Sequence, residues 1–144
     1  MITLYFDTCS LQRPLDDQRQ KRIARESEAI LELLNLWREA KLRLVSSEVL
    51  YDEVLRNPII ERRAFGLGIL AQADQFIEAT GDVRKRARHL VQRGLQPYDA
   101  LHLASAEHSA VDYLCTRDDK FYRKGSVLVT PPTKVITPVP LIQK

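Results

Sequence analysis

The chain is predicted to be an α/β domain built on a mainly parallel sheet, and three observations lead there. Short β-prone apolar runs alternate along the chain with longer segments of helical apolar spacing. Proline and glycine fall between these segments rather than inside most of them. Acidic residues sit just past the apolar runs, where open α/β sheets form their sites.

The first strand covers residues 2–6, with Ile2, Leu4 and Phe6 on one face and Thr3 and Tyr5 on the other. "RPLDDQ" turns the chain, and Asp16 or Asp17 suits a helix N-cap. Ile23, Ile30, Leu33, Leu34 and Trp37 then keep helical spacing to about Ala40. "LRLVS", residues 42–46, reads as the second strand, and Ser47 as the cap of the helix "EVLYDEVLR". Asn57 ends that helix because the residue before a proline avoids the α region. Pro58 opens a third helix over 58–73, weakened by Gly66 and Gly68.

"QFIEA" predicts a short third strand. Val83, Ala87, Leu90 and Val91 give a helix over 82–93, with Gly94 in the left-handed position that follows it. Pro97 starts the helix "YDALHLASAEHS". "DYLCT" is the fourth strand, "DDKFYRK" a short helix or turn, and "SVLVT", residues 126–130, the fifth strand. From Pro131 the chain is proline-rich and predicted to be extended, along an edge or trailing.

At 144 residues the chain has the size of one domain with a real core. It contains no apolar run near the ~20 residues of a membrane span, and no basic leader precedes an apolar stretch. Two cysteines, Cys9 and Cys115, make no disulfide framework and read as small buried hydrophobes, so a reducing cytoplasm is expected. A net charge of +3 is too mild to identify a partner.

The acids carry the functional argument. Asp7 follows the first strand, and Glu53 lies two turns into the helix after the second, behind Glu48 and Asp52. Asp99 is in the first turn of the Pro97 helix, and Asp118, beside Asp119, follows the fourth strand and Thr116. Singly, each is an ordinary cap, turn or surface residue. Gathered on one sheet edge they would repel one another and take up protons unless a cation intervened. Mg²⁺ or Mn²⁺ fits, because hard cations prefer oxygen ligands.

In "LYFDTCSLQRP", "SSEVLYDEVL", "PYDALHLASA" and "CTRDDKF" the chain resembles the PIN-domain proteins, small bacterial ribonucleases that include toxins of toxin–antitoxin pairs. These stretches span nearly the whole chain in the family's order, and the last two are the more specific. The resemblance implies a three-layer α/β/α fold with a central, mainly parallel sheet. It implies a nuclease domain over 1–130, with 131–144 a proline-rich extension packing on it or trailing. It makes Asp7, Glu53, Asp99 and Asp118 the metal-binding, catalytic acids and Thr116 a supporting hydroxyl. Glu53 is preferred to Glu48 and Asp52 by its distance from Ser47, and Asp118 to Asp119 by its distance from Phe121. The implied activity is Mg²⁺- or Mn²⁺-dependent cleavage of RNA phosphodiesters, with an antitoxin partner and a homodimer. The competing expectation is a regulatory PIN scaffold that binds RNA or protein with little activity.

Other chemistries lack their residues. No glycine cluster forms a phosphate loop, and His89, His102 and His108 form no zinc motif with the cysteines. His102 reads as a packed helix residue. A phosphatase of another α/β fold would want an acid two positions after Asp7, where Cys9 stands. Positive charge for a polyanion comes from Arg13 and Arg117, nearest the acids, while "VRKRARH" reads first as a solvated helix face. Tyr51, Tyr98 and Tyr122 could stack on bases but read first as packing residues.

Overall fold

A computed structural model describes residues 1–143. Its centre is a five-stranded, wholly parallel sheet of order β3-β2-β1-β4-β5. The strands are β1 (Thr3–Phe6), β2 (Arg43–Ser47), β3 (Gln75–Ile77), β4 (Tyr113–Cys115) and β5 (Lys134–Ile136). Among the described residues the helices are α1 (Thr8–Leu11), α2 (Lys21–Arg38), α3 (Glu48–Leu55), α4 (Ile60–Leu70), α5 (Gly81–Gln92), α6 (Pro97–His108), α7 (Asp119–Leu128) and α8 (Pro138–Ile142). A 3-10 turn at Arg13–Leu15 links α1 towards α2. The three-layer α/β/α architecture expected from the sequence is the one observed.

Parallel strands need helical crossovers, which cover both sheet faces. Accordingly Leu4, Tyr5 and Phe6 are all buried, whichever face they occupy. Strand order reverses beside β1: the chain builds outward through β2 and β3 on one side, then returns to β4 and β5 on the other. The crevice at the carboxyl ends of β1 and β4 is therefore the topological switch point, where such folds bind ligands.

Local signals explain most boundaries. Ser47 caps α3 by accepting from the Leu50 N–H, and Thr80 caps α5 through Val83. Gly94 takes φ 110°, the left-handed conformation that releases the chain from α5. At Gly66 a Cβ would lie 2.8 Å from Val54, so only glycine lets α4 approach α3 this closely.

Three expectations are corrected. Neither Asp16 nor Asp17 caps the long helix; Asp16 holds Arg13 and Arg62 and Asp17 holds Arg19, and α2 begins later, after Gln20. The helix expected over 58–73 begins at Ile60, because Asn57 folds back to accept from the Ile59 N–H. Residues 126–130 form no strand: Ser126–Leu128 extend α7, and the fifth strand lies at Lys134–Ile136 in the proline-rich segment. The apolar run "SVLV" has β propensity, but its first three residues continue the helix that packs Phe121 and Gly125 beside Val135. Beyond β5, Leu141 of α8 is buried.

Candidate metal-binding site

Asp7 follows β1 into the switch-point crevice and is only 3% exposed. It caps α1: its Oδ1 accepts the Ser10 N–H at 3.0 Å. Its Oδ2 accepts the Thr116 hydroxyl at 2.6 Å, reaching across to the residue after β4. Burial raises the Asp7 pKa, and the Thr116 and Ser10 donors oppose that rise. Thr116 Oγ1 in turn accepts the Asp118 N–H at 3.1 Å. Asp118 itself caps α7, its Oδ1 accepting from Lys120 and Phe121 N–H groups.

Glu53 reaches the same crevice from α3. Its Oε1 lies 2.8 Å from His102 Nε2 and also accepts the Thr8 hydroxyl. Burial would push this carboxyl up, but the bonds from His102 and Thr8 outweigh it and hold the pKa below the ordinary glutamate value. Asp99 completes the group from the first turn of α6 and is half-buried. Its pKa is pushed up to about 6, first by burial, then by the negative field of Asp7, with Asp118 and Glu53 adding to it. The four acids named from the sequence thus share one electrostatic environment.

The rival acids have other partners. Asp52 is exposed and accepts from Tyr98 at 2.8 Å and Arg56 at 3.1 Å. Glu48 accepts from the Ala79 N–H and pairs with Arg84. Asp119 is gripped by both terminal nitrogens of Arg22, at 2.9 and 2.7 Å.

The cationic residues divide differently from expectation. Arg13, expected to face a substrate, is 8% exposed and committed to Glu26 and Asp16 at 2.7 and 3.0 Å. It braces the loop after α1 against α2. Arg117 is half-buried and borders an open groove beside Glu53 that Arg56 and Arg62 also line. Its Nε is buried and accepted by no protein group. In "VRKRARH", Arg84 bonds the Ala79 carbonyl, and Arg86 is anchored on Glu107 and the Leu128 carbonyl. Tyr51 packs edge-on against Phe76. Cys115 is buried as expected, whereas Cys9 is exposed on α1.

Sequence reading missed the residues that hold Glu53. Buried His102 links Glu53 to Tyr5, and Thr8 adds its hydroxyl. Helical spacing gave a partial signal, since His102 lies three positions after Asp99 and so shares its face of α6.

Among the described residues, no three Asp, Glu, His or Cys side chains close into a ready cage for a cation. The donor set nevertheless fits Mg²⁺ or Mn²⁺. All four side chains offer hard oxygen, and such ions keep several waters while using one or two carboxylates. Asp99, whose pKa is raised first by burial and then by neighbouring negative charge, is the group a cation would relieve.

A parallel α/β domain with acids gathered at its switch point is the class of protein defined so far. Residues 4–127 match the PIN domain, and the chain belongs to that family. Similar solved structures include VapBC2 of Rickettsia felis bound to a DNA fragment from its promoter, with 17% identity, a TM-score of 0.59 and coverage of 94% of this chain and 98% of that one. VapC20 of Mycobacterium tuberculosis, a sarcin–ricin-loop-cleaving toxin, gives 18%, 0.60, and 89% and 99%. VapBC-5 of the same organism, from a toxin–antitoxin family, gives 17%, 0.52, and 95% and 99%. No curated protein matches the chain. No helix among the described residues is long and apolar enough to cross a membrane.

Proposed function

We propose that this protein is a metal-dependent endoribonuclease, the toxin of a toxin–antitoxin pair acting in the cytoplasm, with RNA as substrate, an antitoxin as partner and a homodimer as its assembly. The observation that carries the reading is the shared environment of Asp7, Glu53, Asp99 and Asp118 at the switch point. Membership of the PIN family and the likeness of fold to VapC proteins support it.

In this reading Asp7, Glu53, Asp99 and Asp118 hold Mg²⁺ or Mn²⁺. Such an ion supplies Lewis acidity towards a phosphodiester and lowers the pKa of water. Thr116 keeps Asp7 oriented, and Ser10 fixes the other carboxylate oxygen. Arg117, which lines the groove beside Glu53, binds a phosphate of the substrate. The DNA-bound neighbour is a two-protein complex, and DNA contact is not part of this proposal.

The test is cleavage of single-stranded RNA with Mn²⁺, with excess chelator, and with Asp99→Asn. Cleavage that chelator and the substitution both abolish is expected. A folded wild type that binds RNA or a partner yet cuts nothing in Mn²⁺ would point to the regulatory scaffold, and phosphate-monoester turnover to a phosphatase.

A further inference from the structure

Behind Glu53 runs a buried chain of polar groups for which packing alone gives no reason. Ser47 Oγ accepts the Leu50 N–H at 3.1 Å. Ser47 Oγ and Tyr5 Oη are 2.7 Å apart, Tyr5 Oη and His102 Nδ1 2.6 Å, and His102 Nε2 and Glu53 Oε1 2.8 Å. Ser47, Tyr5 and His102 are each no more than 1% exposed. Three polar side chains from β1, β2 and α6 are thus spent in the core to reach one carboxylate oxygen. A buried polar group costs free energy unless every donor and acceptor is used.

Donor counting fixes the direction. A glutamate carboxylate only accepts, so His102 Nε2 carries the hydrogen it shares with Glu53. In the neutral imidazole Nδ1 then accepts, so the Tyr5 hydroxyl donates to it. Tyr5 Oη is then left to accept, which matches the Ser47 hydroxyl as donor. Ser47 Oγ already accepts from the α3 cap. Every group is satisfied once, in one direction, from the backbone of α3 to Glu53 on the same helix. The opposite direction would strand the Ser47 hydroxyl hydrogen in a site with no other acceptor. A chain polarised in one sense strengthens each of its bonds.

We propose that Tyr5 and His102 are positioning residues that set the Glu53 carboxylate for a divalent cation, through a one-way hydrogen-bond chain anchored on Ser47. A glutamate has three side-chain torsions, and ordering them costs conformational entropy. The chain, with Thr8, fixes Oε1 beforehand and leaves Oε2 without a hydrogen-bond partner among the described residues. Partners that orient a metal-binding side chain are worth about 10–100-fold in affinity or activity. The inference rests on the reading of Glu53 as a metal-binding acid.

The test uses the full chain, with Mn²⁺ as probe. Tyr5→Phe keeps the ring and removes only the oxygen that bonds Nδ1. His102→Gln keeps a donor near the Nε2 position, whereas His102→Asn keeps only the Nδ1 side. Calorimetry is expected to show Mn²⁺ affinity lowered about tenfold in Tyr5→Phe, at least as much in His102→Asn, and less in His102→Gln. In RNA cleavage kcat should fall in the same order with KM within about twofold. ¹⁵N NMR of the wild-type imidazole should show the Nε2–H tautomer, lost as a single form in Tyr5→Phe. Wild-type affinity in Tyr5→Phe and His102→Asn, equal losses in the two histidine variants, or an Nδ1–H tautomer would overturn the proposal. A wild type that binds Mn²⁺ without cutting RNA would instead overturn the nuclease reading, and the affinity and NMR outcomes would still decide this one.

Discussion

The Thr116 hydroxyl stands 2.6 Å from Asp7 Oδ2, joining the ends of β1 and β4 across the crevice. The same oxygen accepts the Asp118 N–H, so one side chain orients two of the four acids. Thr116→Val keeps the shape and removes both bonds. A stability loss of about 1–3 kcal/mol is expected for unsatisfied buried polar groups. The loss should be pH-dependent. Burial already raises the Asp7 pKa, and the Thr116 bond is the largest opposing influence. Without it the charged form costs more, so the variant should lose most at high pH and least where Asp7 is protonated. Denaturant midpoints of both proteins between pH 5 and 8 check this; a pH-independent difference would contradict it.

Asp99 is in the opposite situation, a carboxylate whose charged form is disfavoured by burial and by its acidic neighbours. Its folded pKa is about 6 and its reference value 3.8. Below about pH 3 both folded and unfolded forms are protonated and the group is neutral for stability. As pH rises through 6 the unfolded chain ionises more readily, and the folded protein loses stability. Asp99→Asn should therefore stabilise the metal-free protein at pH 7.5, by about 1 kcal/mol after allowing for solvent screening, and not at pH 3. The same substitution should abolish Mn²⁺-induced stabilisation. Thermal melts with chelator and with Mn²⁺ decide it, and unfolding of the variant would make Asp99 a structural residue.

Arg13 and Arg117 should separate cleanly. Arg13→Ala leaves buried Glu26 with only the longer Arg22 contact at 3.4 Å, so a stability loss of about 1–3 kcal/mol is expected, while the salt dependence of RNA binding stays as it was. Arg117→Ala removes a side chain with no protein partner at Nε, so stability should hardly change. The log–log slope of RNA affinity against salt should fall by about one, the signature of one lost phosphate contact. Filter binding at several salt concentrations, on both variants, measures this.

These contrasts show where sequence reading succeeds. The order of strands and helices was legible because apolar periodicity, Ser47, Pro97 and Gly94 all act locally. Asp7, Glu53, Asp99 and Asp118 were legible as a set because each lies at the end of a readable element. What stayed hidden depends on partners far away in the chain. Arg13 looks like a phosphate ligand until Glu26 is folded against it, and His102 looks like packing until Tyr5 and Glu53 meet it. The fifth strand was misplaced for the same reason: "SVLV" has the stronger intrinsic preference, but the register beside β4 falls to "KVI".

That register makes a last prediction. Lys134, Val135 and Ile136 pair with Tyr113, Leu114 and Cys115, and the Ile136 carbonyl accepts the Thr116 N–H. Without them β4 becomes an edge, with its ladder groups open and Leu114 and Cys115, both fully buried, losing cover. The Thr116 backbone would also lose a tether, and with it the hydroxyl that holds Asp7. Truncation after residue 130 should therefore give insoluble or non-cooperatively unfolding protein. Truncation after Ile136, which removes α8 but keeps the strand, should stay folded with a lowered melting temperature, since Leu141 is only 5% exposed in the full chain. Soluble yield and melting curves of the two truncations distinguish an integral edge strand from a dispensable extension; equal, near-native stability in both would show that the sheet is complete without β5.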